Sequence, residues 1–376
     1  MNELGPIDSF LVRALRDDGA LPTEMDPGLI EERVAYHGIA GLLIGPVTKN
    51  WPQALCVKLH QQALAQTMWD LRHKVILIEL LDALTKEGVR VVLLKGTAMA
   101  YRYYENPAMR ARGDSDLLIM PADVDMARKV LRENDFSSFY DIDADPTERK
   151  QEPWSKYLPD ESRHEIDLHW SALNRPILDA VMPVETALSK AIALPALGRG
   201  AFMLPLHLAL LHACLHRAKH VTSPYFVNGT THYGGDRLIW LKDIDLMLRA
   251  LDPAETDAFE NVVRKGGVGN ICAEAFQSAH ELLATPLPRG LIDRLRLMPV
   301  GAAGDYLSEK HQVRRAAQDF RSMQGFRAKL NYLRQRLFPP ADFMRTKYPE
   351  LAHRPVLQLY MRRFIDFSRR RSGKTQ

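Results

Sequence analysis

Asp114 and Asp116 stand two residues apart in RGDSDLLIM. On an extended strand that spacing sends both carboxylates to one face, where they repel each other and resist burial unless a cation lies between them. Hard oxygen ligands of this kind suit Mg²⁺, above all beside the phosphates of a nucleoside triphosphate. Upstream, VVLL leads directly into Lys95, Gly96 and Thr97. A small-residue pair at a helix start lets backbone N–H groups approach a phosphate. Downstream, HEIDLHW alternates polar and apolar residues, which predicts a strand with Glu165, Asp167 and His169 on one face.

Strand, Lys-Gly-Thr and helix, then two aspartates on a second strand, then a lone aspartate on a later one, is a layout that suits two-metal nucleotidyl transfer. In that reaction a hydroxyl attacks phosphorus in line while charge builds on the departing pyrophosphate. Two cations clamp the attacking and leaving oxygens, and the paired carboxylates bridge both cations. Glu165 competes with Asp167 for the third carboxylate, being on the same face. Lys95 is expected either to hold a phosphate or to pair with the carboxylates, and Arg112 either to hold a phosphate or to pair with Asp114. His169 is expected to orient Asp167 or to be structural.

These residues need elements to hold them. Residues 1–88 read as helical and carry no chemistry; a long helix from Pro52 to Glu87 shows an apolar stripe of Leu71, Val75, Ile78, Leu80, Leu81 and Leu84, and Gly88 ends it. Residues 89–175 change character. Val91–Leu94 and Leu117–Met120 read as strands, Gly96 as the sharp turn between strand and helix, and Phe136–Asp143 as a third strand. Pro146–Pro159 reads as polar loop, and a helix opens at Pro121 and runs to about Asn134. Residues 176–340 are predicted helical, with helices over Leu204–His220, Arg237–Leu251 and Val262–Leu283. Residues 341–376 form a basic helix, near Pro355–Ser368, and a tail.

LLKGTAMAYRYY, RGDSDLLI, HEIDLHW, HACLHRAKH and RLIWLKDIDLML together resemble the uncharacterised bacterial nucleotidyltransferase family of the polymerase-β-like superfamily, over roughly residues 30–350. The resemblance implies an α+β fold, a polymerase-β-like nucleotidyltransferase core of small mixed sheet and helices with helical regions before and after it. It implies Asp114, Asp116 and Asp167 as catalytic metal ligands for two Mg²⁺, with Gly96 and Thr97 facing the triphosphate. Two departures bear on the phosphate geometry: Gly96 and Asp114 are 18 residues apart, a wider gap than usual, and Ser115 stands between the aspartates where an apolar residue is common.

His212, His216 and His220 fall on one face of a predicted helix. Zinc is one reading, but no HExxH accompanies them. The better expectation is that His216, Lys219 and His220 line the nucleotide cleft, with Arg237, Lys242 and Asp243 facing them, and that Asp243 pairs with a cation from the histidine helix. Trp240 reads as core.

Composition narrows the class. The chain has 376 residues, 46% hydrophobic and 26% charged, with a net charge of +4. From Lys310 onward there are 17 Lys and Arg against 4 Asp and Glu, an excess of 13, so this end could meet an anionic polymer or an acidic partner. Three scattered cysteines argue against a disulfide framework or zinc site. No signal peptide or membrane span is evident, so a cytoplasmic protein with no membrane partner is expected. The leading function is transfer of a nucleoside monophosphate from ATP or another NTP to a small molecule, a protein side chain or an RNA end. A non-catalytic nucleotide-binding or scaffold protein and a phosphotransferase are the alternatives.

Overall fold

Six short strands form the floor on which the aspartates sit: β1 (Val92–Leu94), β2 (Asp114–Leu118), β3 (Gln151–Tyr157), β4 (Arg163–His169), β5 (Ile192–Ala193) and β6 (Phe202–Met203). Their order is β3-β4-β2-β1-β6-β5. β2 runs antiparallel to β1 and parallel to β4, so the sheet is mixed. The computed structural model describes residues 4–16, 19–21, 24–138, 150–221, 224–227, 230–233, 235–309, 311–323, 325–339, 341–351 and 353–371.

β1 is buried along its whole length, as its run of aliphatic residues requires, and β2 is buried from Ser115 onward. β3 occupies part of the stretch expected to be loop. It carries Pro153, which cannot donate to a sheet ladder, and it lies at the sheet edge, where proline is tolerated. Of the strand expected at Phe136–Asp143, Ser137 forms one bridge with Ser155, and residues 139–143 lie outside the described residues. A tight turn over Pro121–Asp123 leads into the helix Val124–Glu133.

The long helix spans Gln53–Lys86, and Gly88 beyond it takes the left-handed conformation at φ +78°. Its buried face differs from the expected stripe. Leu55, Leu59, Ile76, Leu77, Leu80, Leu81 and Leu84 are buried, while Leu71 and Val75 are exposed, because the inward face lies further round the helix. The histidine helix runs Leu206–Val221, followed by Leu238–Arg249. The single helix expected over Val262–Leu283 is two, Pro253–Gly266 and Gly269–Leu283. The break falls at Gly267, whose φ is +60° and where a Cβ would lie 2.4 Å from the Gly301 nitrogen. Only glycine meets both demands.

The chain divides into two compact units, Met1–Arg315 and Ala316–Gln376. In the first, one continuous core runs from Phe10 to Leu307, so the helical regions before and after the sheet share a single interior with it. The second has a small core of its own, Met344, Tyr348 and Leu359. Its helices include Phe326–Leu337, Ala341–Lys347 and Val356–Arg371. Among the described residues no helix is long and apolar enough to cross a membrane.

Candidate active site

The strand register brings the carboxylates together. Asp116 on β2 is the direct partner of Asp167 on β4 and of Leu94 at the end of β1. Asp114 pairs with Glu165, and Leu118 with His169. Direct partners project to the same side of a sheet, so Asp114, Asp116, Glu165, Asp167 and His169 share one face. Glu165 is drawn off by an ion pair with Arg163.

Lys95 meets this face from β1. Its backbone takes the left-handed conformation at φ +47°, a strained state for a residue with a side chain. The sharp turn expected at Gly96 is therefore made by Lys95 itself, and Gly96 is not among the residues with positive φ. The turn aims the Lys95 Nζ at Asp116 Oδ1, 2.5 Å away. His169 Nε2 reaches the same oxygen at 2.8 Å, so His169 orients Asp116 rather than Asp167. Burial lowers the His169 pKa and keeps the ring neutral. A carboxylate only accepts, so Nε2 carries the proton, and Nδ1 faces the Asn174 side-chain amide at 3.3 Å.

The three aspartates differ in charge because their surroundings differ. Burial disfavours the ionised form of Asp116, but the Lys95 ammonium and the His169 hydrogen bond outweigh it and hold the carboxyl below the usual range. Burial, then the Asp116 charge, raises Asp114 to about 6. Burial, then the Asp114 and Asp116 charges, raises Asp167 to about 8. Desolvation works against the Lys95 ammonium, yet Asp116 keeps its pKa raised. The buried face thus keeps protons that its carboxylates would lose in water. Among the described residues, Asp116, Asp167 and His169 are the one group whose ligand atoms converge, all within 4.8 Å of one another. With His169 Nε2 donating to Asp116, the carboxylates of Asp116 and Asp167, crowded by Asp114, are the oxygen donors that fit a divalent cation.

Behind β2 lies a second layer. Ser115 points away from its two neighbours and is fully buried. Its hydroxyl lies 2.7 Å from His73 Nε2 on the long helix and 2.7 Å from the Thr97 hydroxyl. Thr97 Oγ1 also donates to the Asp114 carbonyl at 3.3 Å, so its side chain is turned from the carboxylate face. Arg112 pairs with Asp70 of the long helix, not with Asp114. Its neighbour Arg110 was not singled out by sequence, yet it too forms a buried pair: Nε and Nη2 donate to Asp243 at 2.7–3.0 Å, and the Tyr104 hydroxyl donates to the same carboxylate at 2.7 Å. Asp243 thus pairs with a cation from beside the site rather than from the histidine helix. A Cβ placed on Gly96 would meet the Arg110 guanidinium at 3.6 Å, an ordinary contact.

His212 and His216 line a pocket beside Lys95, together with Arg110, Trp240 and Asp243. His216 meets the Trp240 ring edge-on at 5.5 Å and the His220 ring at 4.4 Å. Burial drives all three histidines to the neutral form, His212 to about 4 and His220 to about 3. His212 Nε2 is spent on the Ala172 carbonyl at 2.9 Å. Lys219 reaches the Leu173 carbonyl at 3.4 Å, and burial plus the Lys95 charge lower it to about 7. Arg237 and Lys242 turn elsewhere, to the Tyr36 carbonyl and to Asp245. Of the residues predicted from sequence, the structure gathers Asp114, Asp116, Asp167 and Lys95, places Gly96 at the adjoining helix start and His216 in the neighbouring pocket, and commits Thr97 and Arg112 to partners behind the face.

The family model described as an uncharacterised nucleotidyltransferase matches residues 24–284. No curated protein matches the chain. The match covers the sheet, the carboxylate face, the histidine helix and the helices packed on it, and the chain belongs to this nucleotidyltransferase family.

Proposed function

From this membership we propose that the protein moves a nucleoside monophosphate from an NTP to a hydroxyl or phosphate acceptor, with two Mg²⁺ held by Asp114, Asp116 and Asp167. The register that sets Asp116 beside Asp167, with Asp114 on the same face, carries this reading. Bound there, the cations supply Lewis-acid stabilisation of the α-phosphate and the departing pyrophosphate. The rest falls to the chain's own groups. His169 holds Asp116 in one orientation, as a ring N–H bonded to a ligating carboxylate does. Lys95 brings a positive charge to the start of its helix, where the Gly96 backbone and the Arg110 guanidinium stand beside it and would meet a phosphate. Asp167, on the strand beside Asp116, would take the proton of the acceptor hydroxyl. His216 and His220, beside Trp240, offer the nucleotide a neutral, largely apolar wall.

The test follows α- and γ-labelled NTPs with candidate acceptors in the presence and absence of Mg²⁺. Nucleotidyl transfer puts the α-label in product, releases pyrophosphate and fails in Asp116→Asn. Label from the γ-position in product would instead mark a phosphotransferase. Nucleotide binding without turnover would mark a binding protein, and undiminished turnover in Asp116→Ala would refute the assigned site.

A further inference from the structure

The second compact unit, Ala316–Gln376, leaves apolar side chains outside its own core. On the helix Phe326–Leu337, Phe326, Leu330, Leu333 and Leu337 follow at intervals of four, three and four residues. That spacing draws one narrow stripe along one side of a helix. The stripe faces outward: Phe326 is 80% exposed and Leu330 53%. The helix Val356–Arg371 repeats the pattern with Leu357, Met361, Phe364 and Ile365, and Leu357 is 68% exposed. The two helices touch where Phe338, just past the end of the first, packs on Phe364 of the second with ring centroids 6.3 Å apart. Tyr360 ties the second helix to the end of the first by donating to the Pro339 carbonyl at 2.6 Å.

Charge says what such a surface meets. Between Phe320 and Ala341 the sequence contains no Asp or Glu, while Arg321, Arg327, Lys329, Arg334 and Arg336 all fall within it. On a helix, positions 329 and 336 lie on one flank of the stripe and 327 and 334 on the other. An apolar stripe of Phe and Leu with cations on both flanks is the pattern of a helix lying in the plane of a lipid interface, its rings and branched chains below the headgroups and its long basic side chains reaching up to them. The excess of 13 positive charges from Lys310 onward favours an anionic headgroup. A nucleic acid would use the charge but has no place for the aliphatic stripe.

We propose that the surface made by the helices Phe326–Leu337 and Val356–Arg371 docks on an anionic lipid surface. Contact of this kind needs no spanning helix, and it departs from the expectation of no membrane partner. It stands independently of the reaction proposed above.

The full chain is floated with vesicles of phosphatidylcholine alone and of phosphatidylcholine mixed with phosphatidylglycerol, at low and high salt. The expected result is recovery with the mixed vesicles only, weakened by salt. Phe326→Ser with Leu330→Ser, both changes at exposed positions, is expected to weaken partitioning tenfold or more, with circular dichroism unchanged. A labelled single-stranded RNA is run in parallel. Equal recovery with both vesicle types, or with neither, overturns the proposal. So does recovery indifferent to the two serines, or binding confined to the RNA. The comparison of vesicles uses the unaltered protein, so it decides the matter even if the double variant does not fold.

Discussion

On the proposed two-metal reading, the crowded carboxylates should exchange protons for metal, which can be tested without knowing the acceptor. Asp167 titrates at about 8 and Asp114 at about 6 in the folded chain, through burial and mutual repulsion. Both return to roughly 4 on unfolding. A raised acid keeps its proton in the folded state after the unfolded chain has lost it. The folded state is therefore favoured most below about pH 4, and stability falls as pH rises toward the folded value. For Asp167 the slope is about 1.4 kcal/mol per pH unit, so moving from pH 6 to pH 8 removes roughly 2–3 kcal/mol. Asp116, held low by Lys95 and His169, acts in the opposite sense but only in acid, and leaves this window untouched. Buried His169, His212, His216 and His220 and the lowered Lys219 act in the opposite sense over the same window, so the Asp167 contribution is read as the difference between the wild type and Asp167→Asn without Mg²⁺. Adding Mg²⁺ at pH 8 should restore stability and release protons. Asp167→Asn keeps the shape and removes the charge. This variant should exceed the wild type in stability at pH 8 without Mg²⁺, and should gain less from the ion. Urea unfolding at both pH values, with MgCl₂ or with EDTA, reads all of these. A stability difference between Asp167→Asn and the wild type that does not grow from pH 6 to pH 8 without Mg²⁺, or a variant that is destabilised at pH 8, would refute the reasoning.

Three further outcomes follow from the packing behind the face. Arg110→Met leaves Asp243 buried without its guanidinium and should lower unfolding free energy by about 3–5 kcal/mol, while Arg110→Met with Asp243→Leu should recover much of the loss in a double-mutant cycle. Ser115→Ala strands His73 Nε2, leaves the Thr97 hydroxyl only the Asp114 carbonyl, and should cost about 1–3 kcal/mol in urea unfolding, although it touches no carboxylate. Lys95→Gly and Lys95→Ala both remove the ammonium, but only glycine takes φ +47° without strain. The glycine variant should be the more stable of the two by about 1 kcal/mol, measured the same way.

The carboxylate face was readable in the sequence because its chemistry is local. Two aspartates at strand spacing, and the alternation of HEIDLHW, are enough to predict strands with acids on one side, and the structure lays β2 and β4 edge to edge in that sense. What pairs with what across long separations was not readable. Arg110 and Arg112 differ by two positions, yet one meets a helix 133 residues later and the other a helix 42 residues earlier. Nothing in RARGDSD says which goes where. His73 was invisible for the same reason, being a lone histidine on a helix with no motif around it. β3 was missed because Pro153 argues for a loop until its place at the sheet edge is known. β5 and β6 have two residues each, too few to show alternation. The break at Gly267 was the exception: two consecutive glycines after Lys265 mark a helix end, a signal present in the sequence.

Ser115 is held from behind by a histidine and a threonine that face away from the carboxylates. Sides alternate along a strand, so sliding β2 by one residue would exchange what each side displays. The slid strand would drive two negative charges into a space fitted to one hydroxyl and leave a serine facing the cleft. The helices therefore proofread the strand: they reject a nearly folded, inert alignment that the strand's own hydrogen bonds would accept. The same restraint shapes how the segment can vary. A change of length inside Asp114–Asp116 would turn the site inside out.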